Sequence, residues 1–361
     1  MEKLSRYTQA EMDRLRLLGD ELADKAVLDL LKQPQWAELI NSLENLPSES
    51  VISDMPFALA SYFRFFQQSP SFLNETKVMR SQEFFSREGS LYLAMLGFYS
   101  LPYCYAFADG AQVLVRSKRI MDYIGRRLSE TALFVLDMFD QGTFLTNDKP
   151  LLTLAKVRLI HAFSRYFVKL HSKDWDVSWG TPINQEDMIG TNLAFSLMVF
   201  RGLEKMDRFQ GKETLEDLLH YWKVAGHYLG LLVDLWPETA KEAIELERLI
   251  RKRHLRASDA GKALMASLGA YYKKTAPSPL FASNIQTIVA YFIGKDAALA
   301  LGLEVAPQLP KILLGAVMEY QLYKESKGRR GYTSIRSQFK ERTMAEFGVE
   351  ISLNIPVLKR P

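Results

Sequence analysis

The segment 156-KVRLIHAFSRYF-167 belongs to a longer run, from Leu151 to Val168, that is apolar on nearly every side of a helix. Asp148 and Pro150 stand just before this run, where an N-cap residue and a first-turn proline favour a helix start. A helix that is apolar nearly all round is buried inside a protein. The sequence therefore predicts a long helix at the centre of the core.

Most other segments longer than ten residues also repeat with the period of a helix, and alternation with a period of two is scarce. Ser69-Pro70, Asn184 and Pro237 mark further helix starts. The stretch VEISLN at 349–354 is the one candidate for a short strand. We predict an all-α fold.

The chain has 361 residues, of which 48% are hydrophobic and 24% charged, a composition typical of a globular protein. It contains no Pro/Gly/Ser-rich linker, low-complexity tract or internal repeat that would divide it into units. We therefore expect residues 1–361 to form one large helical domain, with its core within residues 80–305.

Residues 91–108, LYLAMLGFYSLPYCYAFA, are 18 positions without a charged side chain, which is long enough to suggest a membrane span. Pro102 should end or kink a helix at this point, and the segment also contains four tyrosines. We therefore predict no membrane span here, but a fully buried helix that lines an interior cavity.

The net charge is +4, from 46 basic and 42 acidic residues spread along the chain, which argues against a nucleic-acid-binding protein. Among the basic clusters, 251-RKRHLR-256 is typical of a helix end and 324-KESKGRRG-331 of a solvated loop. The single cysteine, Cys104, excludes an intrachain disulfide. With no secretory signal visible at the start, we expect a cytoplasmic location.

Several enzyme classes lack their signatures in this sequence. It contains no HExxH motif, no glycine-rich phosphate loop and no GxSxG motif. These patterns typify zinc proteases, nucleotide-binding proteins and serine hydrolases, respectively. The sequence therefore does not indicate any of these three classes, and the remaining candidates for a functional site are polar residues on otherwise apolar helices.

His161 is the first such residue, because Arg158 and Arg165 lie three positions before it and four after it on the same helix face. Buried guanidinium groups are costly unless they meet anions. One interpretation is a haem site, with the imidazole on iron and both arginines on the propionates. The other is a core histidine with arginines paired to acidic residues of neighbouring helices.

Arg127, Glu130 and Thr131 share one stripe of the predicted helix within 119–139. They combine a cation, an acid and a hydroxyl beside an apolar surface, although a simple intrahelical Arg–Glu pair is the common alternative. In the segment 179–195, Asn184 has the position of an N-cap. There, Gln185 or Asp187 could serve as a hydrogen-bond acceptor for His161.

Taken together, these motifs resemble the latex-clearing protein family of haem-dependent rubber oxygenases and the related fungal oxygenase that cleaves the mycophenolic acid side chain. The segments that carry the resemblance are RRLSET at 126–131, KVRLIHAFSR at 156–165, WGTPINQEDMIGTNLAF at 179–195, LGDELADKAV at 18–27 and TIVAYFIGKDAALALGL at 287–303.

The resemblance implies a globin-like helical core with added helices, haem b as cofactor, and cleavage of isoprenoid carbon–carbon double bonds with dioxygen. It implies that His161 is the proximal haem ligand, flanked by Arg158 and Arg165, and that Arg127 and Thr131 lie on the distal side. Glu130 departs from the family pattern, because rubber oxygenases can have a lysine there that coordinates iron in the closed state.

The expected function is therefore that of a haem-dependent dioxygenase acting on a hydrophobic, isoprenoid-like substrate. In this interpretation Arg127 polarises dioxygen, Thr131 orients it, and Glu130 moves the allylic proton or controls access to the sixth iron position, with Asp109 as a weaker candidate for the base. The alternatives are a haem peroxygenase or monooxygenase, a non-catalytic haem or gas-binding protein, and a helical interaction protein without cofactor.

Overall fold

Helices make up nearly all the regular structure in the computed structural model of the chain, which describes residues 7–116, 123–276, 278–319 and 331–357. No strand occurs among these residues, so the predicted all-α class is confirmed. VEISLN, the candidate strand at 349–354, forms none. The basic cluster at 324–331, apart from Gly331, lies outside the described residues, as does the start of the segment 119–139.

The helices in chain order are α1 Gln9–Leu17, α2 Glu21–Lys32, α3 Gln35–Ser42, α4 Glu49–Ser53, α5 Phe57–Phe66, α6 Glu75–Met95, α7 Leu101–Tyr105, α8 Ala108–Arg116, α9 Ile124–Met138, α10 Lys149–His171, α11 Gln185–Leu193, α12 Val199–Lys205, α13 Lys212–Tyr228, α14 Ala240–His254, α15 Asp259–Lys274, α16 Pro279–Ile293, α17 Lys295–Ala300, α18 Lys311–Glu319 and α19 Tyr332–Phe347. Two π-helical turns, Leu96–Ser100 and Ala194–Met198, join α6 to α7 and α11 to α12.

The predicted central helix is α10, and it begins and ends as its sequence suggests. Asp148 is its N-cap residue and Pro150 lies in its first turn, while Lys169 and His171 occupy the last turn, where cations favour the helix dipole. It packs against α2, α5, α8, α9 and α13. Buried side chains from α1 through to the C-terminal segment form a single hydrophobic cluster around it.

The predicted helix starts are only partly confirmed. Asn184 caps α11 as expected, since its side chain accepts the Asp187 backbone N–H at 2.9 Å. By contrast, α6 begins after Asn74 instead of after Pro70, and α14 begins after Thr239 instead of after Pro237. Proline is merely compatible with the first turn of a helix. The side-chain oxygens of Asn74 and Thr239, by contrast, satisfy free backbone N–H groups at the helix start.

The uncharged segment 91–108 is buried, as predicted, but it is not one regular helix. The last turns of α6 pass into the π-helical turn Leu96–Ser100 and then into α7, whose first turn contains Pro102. Proline is tolerated there because the first-turn N–H groups need no helical partner. Among the described residues, no helix combines the length and apolarity needed to cross a membrane.

Candidate functional site

A large cavity runs along one face of α10. Its volume is about 710 Å³, which falls in the range of roughly 300–1,000 Å³ typical of small-molecule sites. Most of the α10 residues that line it recur at three- or four-residue intervals: Val157, Ile160, His161, Phe163, Ser164, Phe167, Val168 and His171. Because this stripe, with Ser172, spans fifteen residue steps of about 1.5 Å, the cavity is elongated, roughly 22 Å along the helix.

The segment 91–108 forms a second wall, which confirms its predicted place beside a cavity. Both π-helical turns contribute to this wall, through Gly97 and Ser100 from one and Phe195 and Met198 from the other. The Ser100 hydroxyl donates to the Ala194 carbonyl at 2.6 Å and so ties the two turns together. Such turns are rare and often mark functional sites, because they widen a helix locally.

His161 lies on this cavity with an imidazole that is kept neutral. Burial lowers its pKa to about 3, and the positive charges of Arg165 and Arg127 add to the effect. Its Nδ1 atom is buried and has no hydrogen-bond partner within the described part of the chain. A neutral imidazole is the form that binds metals, so His161 is chemically ready to act as a ligand.

Helix α9 brings Arg127, Glu130 and Thr131 to the same cavity. Glu130 is buried, and its Oε2 accepts a hydrogen bond from Arg127 Nη1 at 3.4 Å. The Thr131 hydroxyl donates to the Arg127 backbone carbonyl at 3.0 Å, so its oxygen remains available as an acceptor. The structure therefore brings a cation, an acid and a hydroxyl into the cavity that contains His161.

Arg158 and Arg165 are turned toward α2, away from the cavity wall. Arg158 donates to both carboxylate oxygens of Asp20, at 2.6 and 2.9 Å, and Arg165 donates to Asp24 at 2.8 Å. Neither arginine lines the cavity. Both arginines thus pair with acidic residues of a neighbouring helix, as the alternative interpretation expected, and the assignment of both to cofactor propionates stays a prediction.

A close backbone approach at Gly230 makes room for the Arg158–Asp20 pair. Gly230 has a φ of +86°, and a Cβ added there would lie 2.3 Å from Asp20 Oδ2 and 2.7 Å from Arg158 Nε. Only glycine fits such a position. The guanidinium also lies over the rings of Tyr62 and Phe65, at 5.6 and 4.7 Å from their centroids.

Gln185 and Asp187 do not serve His161 as hydrogen-bond acceptors. The Gln185 amide donates to the carbonyls of Gly19 and Gly230, and its oxygen accepts from the Leu232 N–H. Asp187 lines the cavity but accepts from Arg16 Nη1 at 3.0 Å and from Asn184. Gln185 therefore links the loop at Gly19 to the loop at 230–232. Asp187 belongs to a separate group of charged residues.

This group of buried charges was not anticipated. Arg253 and His254, at the end of α14, contact Glu186 at 2.7 and 2.9 Å, and His254 Nδ1 lies 3.2 Å from Asp109. Burial alone would lower the pKa of His254, but the bonds to Asp109 and Glu186 raise it overall. The cluster 251–256 thus neutralises carboxylates, and Asp109 is engaged there instead of in the cavity.

The C-terminal segment 351–357 closes one side of the cavity. Its Ile351, Leu353 and Ile355 are buried, and Leu353 and Pro356 line the cavity. The side chain of Asn41, in α3, donates to the Ile355 carbonyl and accepts its N–H, each at 2.9 Å. One amide side chain therefore pairs with both the N–H and the carbonyl of Ile355, as a neighbouring strand would.

Comparisons with known proteins agree with this architecture. Residues 93–319 match the family model described as "ER-bound oxygenase mpaB/B'/Rubber oxygenase, catalytic domain". A rubber oxygenase of Streptomyces sp. (strain K30) is 23% identical over 303 residues, which cover 82% of this chain and 74% of that protein. A structure of latex clearing protein LCP in the closed state superposes with a TM-score of 0.71 at 21% identity, covering 87% of this chain and 93% of the other.

Proposed function

Since the chain belongs to the family of mpaB-type and rubber oxygenase catalytic domains, we propose that it is a haem b-dependent dioxygenase that cleaves carbon–carbon double bonds of a hydrophobic, isoprenoid-like substrate. The observation that carries this proposal is the neutral imidazole of His161 on a large, mainly apolar cavity, with a buried Nδ1 that has no hydrogen-bond partner among the described residues. The proposed single domain, residues 1–361, would hold the cofactor in that cavity.

The residues around His161 fit a haem group. The imidazole has a buried nitrogen for which the described ranges supply no partner, and the surrounding wall is largely apolar, as a porphyrin face requires. When bound there, haem would supply the iron chemistry that activates dioxygen. His161 would hold the iron, and the positive charge of Arg165, fixed by Asp24, would help to keep the imidazole neutral.

The side chains of α9 have distinct tasks in this proposal. Arg127 would donate hydrogen bonds to an oxygen atom that gains negative charge during the reaction. Glu130, held by Arg127, would accept the allylic proton of the substrate at its carboxylate. Thr131 would accept a hydrogen bond through its hydroxyl oxygen and so orient the reacting group.

The decisive experiment combines spectroscopy with product analysis. The protein, expressed with a haem supply, is expected to show a Soret band, and to convert isoprenoid alkenes into chain-cleaved carbonyl products under air but not under nitrogen. Peroxide-supported oxygen insertion would instead indicate a peroxygenase or monooxygenase. Gas binding without turnover would indicate a haem-based binding protein, and the absence of a Soret band would reject the proposal.

Replacing Arg127 by alanine is expected to leave haem bound but to lower turnover by roughly 10²- to 10³-fold, the usual cost of losing one donor to a developing negative charge. Steady-state rates and the absorption spectrum measure the two effects separately. Arg64→Ala is the matched control, since its guanidinium pairs with the exposed Glu49 and is not part of the cavity wall. Full activity in the Arg127 variant would contradict the assigned role.

Replacing Glu130 by glutamine is expected to lower turnover by at least about 10²-fold and to remove one limb of the pH–rate profile, because the amide cannot accept the proton. The rate is measured across the pH range with the wild type in parallel. Glu204→Gln, an exposed carboxylate away from the cavity, provides the control. An unchanged profile would mean that Glu130 takes no part in proton transfer.

A further inference from the structure

The cavity has a cationic end, near the C-terminus of α10. Arg116, the last residue of α8, lines the cavity there together with His171 and Ser172. Ser172 lies eleven residues beyond His161, roughly 16 Å along the helix axis. This end is therefore well separated from the imidazole, and the wall between them includes Phe167 and Val168.

The Arg116 guanidinium is held in a fixed position. It lies over the indole rings of Trp175 and Trp179, 5.6 and 5.0 Å from their centroids, and the two indoles pack edge to face. Its Nη1 donates to Gln112 Oε1 at 2.7 Å. Because the stacking and this bond orient the plane, little freedom is lost when a further ligand binds.

One edge of this guanidinium is paired only with an exposed carboxylate. Its Nε is buried and has no acceptor in the described parts of the chain. The adjacent Nη2 is paired with Asp174, whose side chain is 74% exposed. An exposed carboxylate makes a weak pair, and the Nε–Nη2 edge is the one that binds a carboxylate or phosphate with two parallel hydrogen bonds.

We propose that this end of the cavity binds the anionic end group of the substrate, which is then an unsaturated isoprenoid chain that carries a carboxylate or a phosphate. The proposal rests on the proposed function for the isoprenoid nature of the chain. Arg116 grips the end group through Nε and Nη2, displacing Asp174. The apolar chain lies along the stripe of α10 toward His161.

Binding, measured by calorimetry on the full chain as isolated, tests this without requiring turnover. The probes are farnesoic acid, farnesyl monophosphate and farnesol, which share one chain and differ in the end group. The two anions are expected to bind more tightly than the alcohol, and their ratio identifies the preferred anion. Arg116→Gln should weaken the anions by on the order of 10- to 100-fold and leave farnesol unchanged.

Asp174→Asn is the second variant, because it changes an exposed side chain and keeps the indole stack. It removes the competing carboxylate and is expected to tighten binding of both anions several-fold. Equal affinities for acid and alcohol would overturn the proposal. So would loss of haem from Arg116→Gln, which would assign the guanidinium to the cofactor. Selective anion binding by a protein without a Soret band would reject the proposed function but support this inference.

Discussion

The His161→Ala variant is expected to fold and to lose haem completely. The imidazole is the metal ligand that α10 offers in this part of the cavity wall, and alanine leaves nothing there to coordinate iron. Folding should survive because His161 Nδ1 makes no hydrogen bond to any residue that the structure describes, so its loss leaves no such donor or acceptor unpaired. Absorption after gel filtration measures the retained haem, and circular dichroism measures the fold.

His220→Ala is the matched control for this experiment. His220 is also a neutral histidine, since burial lowers its pKa to about 4, but it lies outside the cavity, where its Nε2 accepts the Asn74 N–H. It should keep the wild-type spectrum. A His161→Ala protein that retains haem with an unchanged Soret band would remove the basis of the proposed function.

The Asp20→Ala variant is expected to lose about 3–5 kcal/mol in free energy of unfolding. Arg158 and Asp20 are both buried, so the substitution leaves a guanidinium in the core without its counter-ion. Asp20 also caps α2 by accepting the Ala23 N–H, and losing a cap adds to the cost. Urea denaturation followed by circular dichroism measures the change.

Two further variants separate these contributions. Asp20→Asn keeps a capping side chain and removes only the charge, so it should lie between the wild type and Asp20→Ala. Combining Asp20→Ala with Arg158→Met should recover much of the stability, because an apolar replacement of a buried pair is often tolerated. Glu21→Ala, which breaks an exposed pair with Lys25, is the control and should lower the stability far less than Asp20→Ala does. A comparably small loss for Asp20→Ala would contradict the argument.

The sequence was sufficient to predict the burial of α10, the cavity beside residues 91–108 and the family, because local periodicity and contiguous motifs carry these features. It could not predict what faces each side of α10. Helical spacing places His161, Arg158 and Arg165 within one broad face. Only tertiary packing reveals that this face is divided, with the imidazole toward the cavity and the arginines toward α2.

The partners of the arginines lie more than a hundred positions away in sequence, which explains why spacing did not identify them. Asp20 and Asp24 belong to 18-LGDELADKAV-27, a segment noted only for its resemblance to the family. A buried acid such as Asp20, followed one turn later by the half-buried Asp24, is a signal that counter-ions are needed. The same reasoning applies to 251–256, where the cations meet Asp109 and Glu186.

The two hydrogen bonds between the Asn41 side chain and the Ile355 backbone affect the order in which the protein folds. They join positions 314 apart in sequence, and contacts across so long a loop form late because chain entropy opposes their closure. Until the C-terminal segment packs against Asn41, Leu353 and Pro356 do not line the cavity. We therefore expect haem to be inserted while the protein is still folding, before the C-terminal segment has packed. The folding rate then limits the time available for cofactor insertion.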